Sequence, residues 1–226
     1  MAVDYSVISI GTLSHHRLWG ESKPIRTAHA TTTLLTDGDR KILVDPSLPG
    51  AILEARYNER TGGTFADVTD VFCTTLRPTH RRALPELDHV NWWAFGDEID
   101  TYTMQMQQVL GSAERLDADS KADIEKDLQL LQRFRPAPDK FSEQVSVYPL
   151  AGPTPGHCGL LLTPATQTIV IAGDAAVTRD HVQAGQIWQG CLDREQAMDS
   201  LSDVLELAEV IIPGHDNVMY LPQRWM

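Results

Sequence analysis

Four residues with metal-binding side chains are spread over the chain, each shortly after an apolar segment. They are His80 in "LRPTH", His157 in "TPGHCG", Asp174 in "AGDA" and His215 in "PGHD". Three of the four, His157, Asp174 and His215, directly follow a glycine. Glycine lets the backbone turn sharply and bring a side chain close to an ion. Three imidazoles and one carboxylate suit zinc, iron or manganese. Because a single loop histidine is usually a surface residue, only the combination indicates a metal site.

Predicted β-strands would place these residues together. Three apolar segments predict strands that end shortly before His80, Asp174 and His215, namely residues 71–74, 168–172 and 210–212. Loops at strand ends are held by a rigid scaffold and commonly carry functional sites. We therefore expect the four side chains to converge at one edge of a sheet.

The remaining pattern mixes hairpins with helices. Asp37-Gly38 between two apolar stretches is typical of a β-hairpin, and residues 49–60, 119–134 and 193–210 have the apolar spacing of helices. The stretch "EIDTYTMQMQQVL", residues 98–110, predicts an edge strand or hairpin. Together these elements predict an α/β fold, and residues 1–226 are expected to form a single domain because no repeat or linker is evident.

Composition excludes several classes of function. The net charge of −12, from 19 basic and 31 acidic residues, argues against binding nucleic acid or an anionic membrane and leaves a small-molecule substrate or a homo-oligomer open. No apolar run approaches the ~20 residues of a membrane span, and the first residues alternate like a strand, unlike a signal peptide. Cys73, Cys158 and Cys191 are too few and too scattered for a disulfide framework, so we expect a cytoplasmic protein.

The segments "VDPSLPG", "TPGHCG", "IAGDA" and "IIPGHD", in this order, resemble the metallo-β-lactamase fold superfamily over nearly the whole chain. The resemblance implies a four-layer αβ/βα sandwich of the metallo-β-lactamase type, with the site at one edge between two sheets. Members are mostly metal-dependent hydrolases, with a few oxidoreductases and some noncatalytic forms. The resemblance makes His157 a ligand of the first metal, Asp174 the carboxylate that bridges two metals, and His215 a ligand of the second.

The family's His-x-His-x-Asp-His run is degenerate in this chain. Thr75 and Arg77 replace two histidines for the first metal, Thr79 replaces the acidic residue, and only His80 is retained. The first metal would keep His157 and Asp174 beside the Arg77 cation, and like charges a few Å apart repel by several kcal/mol at an effective dielectric of about 20. We expect that metal to be absent.

One divalent transition metal could still bind to His80, Asp174 and His215, with zinc favoured over iron or manganese; the alternative is no metal. Three further histidines lie in segments that are near the site in this family and could replace a lost ligand: His15, His16 and His29. The hydroxyl of Thr79 does not ionise at neutral pH and cannot serve as a general base.

Arg77 and Asp174 are the predicted catalytic residues. We hypothesise that Arg77 takes the electrostatic place of the first metal and pairs with Asp174 or with a substrate anion. The alternative is that Arg77 is a solvated loop residue beside Arg81 and Arg82.

Two functions are compatible with this pattern. The first is hydrolysis of a small ester, lactone, thioester or phosphoester with one metal. The second is a noncatalytic binding or assembly module that keeps the fold and remnants of the site. Retention of four ligand-type residues favours the hydrolase, whereas loss of the acidic residue and of two ligands favours the module.

Overall fold

The chain forms two six-stranded β-sheets in a computed structural model that describes residues 2–112 and 117–222. The first sheet has the spatial order β1 (Asp4–Ser9), β2 (Thr32–Asp37), β3 (Arg40–Val44), β4 (Asp70–Phe72), β5 (Asn91–Ala94) and β6 (Phe134–Pro136). The second sheet contains β7 (Lys140–Ser142), β8 (Val145–Pro149), β9 (Cys158–Leu162), β10 (Ile169–Gly173), β11 (Val210–Pro213) and β12 (Met219–Tyr220) in sequential order.

Five α-helices are present in the described residues. They are α1 (Gly50–Thr61), α2 (Gly96–Gly111), α3 (Ala118–Leu131), α4 (Arg179–Ala184) and α5 (Arg194–Leu207). The C-terminal end of α1 follows from local sequence, because Gly62 adopts φ +72° and closes the helix through a hydrogen bond from its N–H to the Asn58 carbonyl. None of these helices is both long and apolar enough to cross a membrane.

Alternating side chains of the strands divide the apolar residues into three cores. On β3, Leu43 packs toward α1, whereas Ile42 and Val44 pack against the other sheet. On β10, Ile169 and Ile171 face the first sheet, and the intervening strand residues face α5. This period of two places helices on both outer faces and confirms the predicted four-layer αβ/βα sandwich.

The prediction of a strand at residues 98–110 was wrong, because these residues lie in α2. Tyr102, Met104 and Met106 alternate with polar residues, which imitates a strand. In the structure Met104 is exposed. Ile99 and Tyr102, three positions apart, pack against the apolar core that also contains Leu43 of the first sheet. Asp97 and Glu98 in the first turn also suit the positive end of a helix.

Parallel strand pairs position the candidate site. β3 pairs with β4 in the first sheet, and β10 pairs with β11 in the second. The loops that follow these four strands meet at one edge of the sandwich, where Asp45, Thr74, Asp174 and His215 come together. The sheet topology therefore brings the loops that carry His80, Asp174 and His215 to one edge.

Candidate metal centre

Three side chains converge on one point at this edge. His80, Asp174 and His215 each offer one ligand atom, these atoms lie within 4.8 Å of one another, and all three residues are buried. Oδ1 of Asp174 is 3.5 Å from Nε2 of His80 and 3.1 Å from Nε2 of His215. Two ligand atoms bound tetrahedrally at ~2.1 Å from one ion lie about 3.4 Å apart, so the set has the spacing of a metal site.

The hydrogen-bonding state of these atoms also suits an ion. Nε2 of His80 and Oδ1 of Asp174 are buried and have no hydrogen-bond partner in the described structure. Buried polar atoms are almost always paired, so two orphaned atoms that face each other indicate a missing positive partner. The residues present therefore fit a divalent metal ion.

The second nitrogen of each histidine is fixed by the protein. Nδ1 of His80 lies 3.1 Å from Oδ2 of Asp45, and Nδ1 of His215 lies 2.9 Å from the carbonyl oxygen of His29. An N–H donated to these acceptors leaves the Nε2 lone pair directed at the common point. A carboxylate or carbonyl behind the ring is the usual support of a metal-binding histidine.

Asp45 is held in place by the loop after β4. Its carboxylate accepts hydrogen bonds of 2.8 Å from both the backbone N–H and the hydroxyl of Thr74. Asp45 adopts φ +49°, a left-handed conformation that is uncommon for a non-glycine residue. These contacts place the carboxylate of Asp45 behind the ring of His80.

Electrostatics bind the histidines and the carboxylate together. Burial alone lowers the pKa of His80, but the Asp45 and Asp174 carboxylates more than offset this and raise it to about 10 when no ion is present. Burial alone raises the pKa of Asp174, yet His80 and His215 hold it well below its usual range. The site therefore contains a carboxylate that requires positive charge beside it.

Glycine is required directly before Asp174. Gly173 has φ +51°, and a Cβ there would lie 2.7 Å from both Nε2 of His157 and Oγ1 of Thr74. The backbone can therefore pass between these side chains and turn out of β10 only without a side chain of its own.

The structure does not bring His157 into the ligand set. Its Nδ1 is 2.9 Å from the carbonyl oxygen of Leu150, and its Nε2 accepts the backbone N–H of Asp174 at 3.0 Å. Burial lowers the pKa of His157, which agrees with a neutral ring that uses both nitrogens inside the protein. In this arrangement His157 orients Asp174, and its role as a ligand stays a prediction.

Arg77 points into the site. Its Nη1 donates to Oδ2 of Asp174 at 2.8 Å, on the carboxylate edge away from the two histidines. Its Nη2 donates to the carbonyl oxygens of Pro153 and Gly190, and the guanidinium lies 4.7 Å from the ring centre of Trp188. Arg77 is therefore an internal partner of Asp174, in contrast to the alternative of a solvated loop residue.

Glu98 is a site residue that the sequence analysis missed. Its buried carboxylate accepts hydrogen bonds from the hydroxyl of Thr75 at 2.6 Å, the N–H of Leu76 at 2.9 Å and the hydroxyl of Thr154 at 2.6 Å. Thr75 is the residue that replaces a first-metal histidine of the family. The acidic first turn of α2 was the available signal, and the strand interpretation of that segment concealed it.

A small cavity of about 80 Å³ opens beside the three converging residues. Its lining consists of Leu13, Ser14, His15, Ala28, Thr79, Asp174, Trp188, Gln189 and His215. Of the three histidines considered as replacement ligands, only His15 is in this lining. Nε2 of His16 instead contacts Oγ1 of Thr178, and both ring nitrogens of His29 contact backbone carbonyl oxygens.

The sequence model of a known protein family matches more than half of the chain. The sequence model of this family matches residues 82–215, so the chain belongs to the metallo-beta-lactamase superfamily. The match begins after the degenerate segment of residues 75–80. A comparison with curated proteins finds no match.

Solved structures share the fold at low sequence identity. A protein of Thermotoga maritima described as a metallo-beta-lactamase is 16% identical, with a TM-score of 0.71 over 98% of this chain and all of that chain. AidC, a dizinc quorum-quenching lactonase in complex with a homoserine product, is 13% identical, with a TM-score of 0.65 over 87% of this chain and 80% of its own. A point variant of AiiA from B. thuringiensis, with N-decanoyl-L-homoserine bound, is 15% identical, with a TM-score of 0.65 over 96% and 94% of the two chains.

Substitution of the histidines separates ligands from supports. We expect His80→Gln and His215→Gln to lose the bound metal equivalent, because each removes a convergent nitrogen, whereas His157→Gln keeps it. Elemental analysis of purified variants measures this, with circular dichroism to confirm folding and exposed His89→Gln as the control. Loss of metal in folded His157→Gln would instead restore His157 to the ligand set.

Glu98 is expected to support the fold of the site. Glu98→Ala leaves three donors without their acceptor, and we expect a loss of about 3 kcal/mol in the free energy of unfolding. Urea denaturation measures this, and Glu125→Ala on the exposed face of α3 is the matched control. Equal stability of the two variants would show that the hydrogen bonds to Glu98 contribute little.

Proposed function

We propose that this protein is a hydrolase that uses one divalent transition metal ion, held by His80, Asp174 and His215, to cleave a small ester or lactone. The observation that carries the proposal is the convergence of two imidazole nitrogens on one carboxylate oxygen, with Nε2 of His80 and Oδ1 of Asp174 left unpaired. The lactonase structures that share the fold support the reaction class. At 13% and 15% sequence identity, their similarity to this chain is a similarity of fold.

Charge balance supports a divalent ion. Three buried carboxyl groups surround the site, on Asp45, Glu98 and Asp174, and Arg77 is the cation that pairs with one of them. Counted as carboxylates, the three leave two negative charges uncompensated in a region of low dielectric, where unpaired charge is costly. A divalent ion neutralises the cluster, whereas a protonated His80 leaves one charge unmatched.

The chain's own residues orient the site. When bound, the ion supplies Lewis-acid polarisation of a carbonyl group and makes a bound water molecule more acidic. Asp45 holds the proton of His80 on Nδ1, and the His29 carbonyl does the same for His215. Arg77 occupies Oδ2 of Asp174, which directs Oδ1 toward the two histidines.

Arg77 is proposed to take the electrostatic place of the first metal. The guanidinium places one permanent positive charge beside Asp174. In the family that this chain resembles, the first metal, which His157 would also bind, is expected at this position. Of the two pairings considered for Arg77, we propose the one with Asp174. Both Nη atoms are engaged by protein oxygens, so Arg77 acts by positioning Asp174.

The cavity favours a small, uncharged substrate. Its volume of about 80 Å³ is far below the several hundred Å³ typical of ligand pockets, so it holds only a short acyl group or a small ring. Leu13, Ala28 and Trp188 give it an apolar wall. With Arg77 committed to Asp174, the described lining of the cavity contains no free guanidinium to bind a phosphate, which favours an ester, lactone or thioester over a phosphoester.

Zinc is the metal we propose, because two imidazoles and a carboxylate with an open position are typical of catalytic zinc. Iron and manganese use related ligand sets, and elemental analysis distinguishes the three. The proposal includes a cytoplasmic location, supported by free thiols at Cys73, Cys158 and Cys191. The net charge of −12 supports a small-molecule partner over nucleic acid.

Metal affinity is expected to depend on pH. Because the pKa of His80 is raised to about 10 without an ion, His80 carries a proton at neutral pH that the metal must displace. The metal affinity should therefore rise about tenfold per pH unit between pH 6 and 8, one proton being released for each ion bound. Titration with Co²⁺ or Zn²⁺ at several pH values measures the slope, and a pH-independent affinity would contradict the proton displacement.

Hydrolysis of an acyl series tests the function. We expect zinc-loaded protein to cleave p-nitrophenyl acetate and γ-butyrolactone, with kcat/KM falling at least tenfold from acetate to octanoate, because the cavity cannot hold a longer chain. His215→Gln should lose this activity, and exposed His89→Gln should retain it. A metal-loaded protein that hydrolyses none of these substrates would favour the noncatalytic module.

A further inference from the structure

A loop formed by residues 14–26, here called the flap, closes on itself beside the cavity. The backbone N–H groups of Ile25 and Arg26 donate to the carbonyl oxygen of Ser14 at 2.9 and 3.1 Å, which joins the two ends of the flap. The carboxylate of Glu21 accepts the backbone N–H of His16 at 2.6 Å and also pairs with Arg26. The flap is therefore a compact loop with its own hydrogen bonds.

His16 anchors the flap to the segment around the start of α4. The buried ring of His16 stacks on Trp19 with centroids 4.3 Å apart, and its Nε2 lies 3.1 Å from Oγ1 of Thr178. Trp19 donates from Nε1 to Oδ2 of Asp180 at 2.6 Å. Two contacts from different flap residues thus hold the loop against one place in the fold.

This anchoring places the neighbouring residue, His15, at the wall of the cavity. His15 lines the cavity together with Asp174 and His215. Its Nδ1 lies 3.3 Å from Oγ of Ser14, and Nε2 is the ring nitrogen that this contact does not engage.

The chemistry of the lining singles out His15. Leu13, Ala28 and Trp188 are apolar, and the hydroxyl of Thr79, which replaces the family's acidic residue, does not ionise at neutral pH. The two other ionisable groups in the lining, Asp174 and His215, belong to the metal centre. Imidazole is the side chain best suited to accept and return a proton near neutral pH.

We propose that His15 is the proton-transfer residue of the hydrolysis proposed above, supplied by the flap in place of the acidic residue lost at Thr79. Nε2 of His15 accepts a proton from the attacking water as the water oxygen bonds to the acyl carbon. The same proton passes to the leaving alkoxide oxygen as the acyl C–O bond breaks. The products are an acid and an alcohol, and the imidazole returns to its starting form.

The test compares His15→Ala with His89→Ala, an exposed histidine outside the site, in zinc-loaded protein. We expect His15→Ala to keep its metal equivalent and its KM for p-nitrophenyl acetate while kcat falls about 100-fold or more, the range of general acid–base catalysis. Added imidazole should restore part of this loss. A second readout is independent of turnover: calorimetry should show acetate, the product acid, binding about tenfold more weakly to His15→Ala than to wild type.

The outcomes separate this inference from the function on which it rests. Unchanged kcat and acetate affinity in His15→Ala overturn the role of His15 and leave the hydrolase intact. A metal-loaded wild-type protein that hydrolyses no ester overturns the hydrolase and with it the proton-transfer role of His15, and weaker acetate binding to His15→Ala would then show only that His15 contacts a ligand in the cavity. If His15→Ala loses both its metal and its activity, and imidazole does not restore the activity, His15 has a structural role. This result also overturns the inference.

Discussion

The buried carboxylate of Asp174 is the group around which the whole site is organised. An unpaired buried charge is too costly to persist, so every neighbouring element supplies a positive or hydrogen-bonding partner. His80 and His215 approach Oδ1 from the ends of two sheets, Arg77 binds Oδ2, and His157 accepts the backbone N–H. The position of this one carboxylate therefore couples β4, β10 and β11 to the flanking loops.

The sequence predicted the parts of this site that depend on strand ends. His80, Asp174 and His215 were expected to converge because each follows a predicted strand, and the structure brings these three together. The four-layer sandwich followed from the resemblance to the family, and residues 49–60 and 193–210 contain helices as expected. Such features depend on apolar periodicity and on the order of elements, which a sequence displays directly.

The orientation of individual rings could not be predicted, because it depends on contacts between segments far apart in sequence. His157 turns both nitrogens toward backbone groups of Leu150 and Asp174, a choice set by the turn that follows β8. Glu98 belongs to the site only because α2 directs its first turn at Thr75. An alternation that imitated a strand hid this helix, and packing of Ile99 and Tyr102 determined the real conformation.

The altered half of the site is a hydrogen-bonded polar cluster. Thr75 donates to Glu98, and Arg77 joins Asp174 to two loop carbonyls, so residues that replace metal-binding histidines now bind protein groups. A guanidinium is planar and permanently charged, and it can stabilise a carboxylate without coordinating water. The substituted residues Thr75 and Arg77 can therefore hold Glu98 and Asp174 in place, but neither side chain accepts a proton at neutral pH. The proton-transfer role proposed for His15 is in keeping with this loss, because His15 lies on the cavity side of the site.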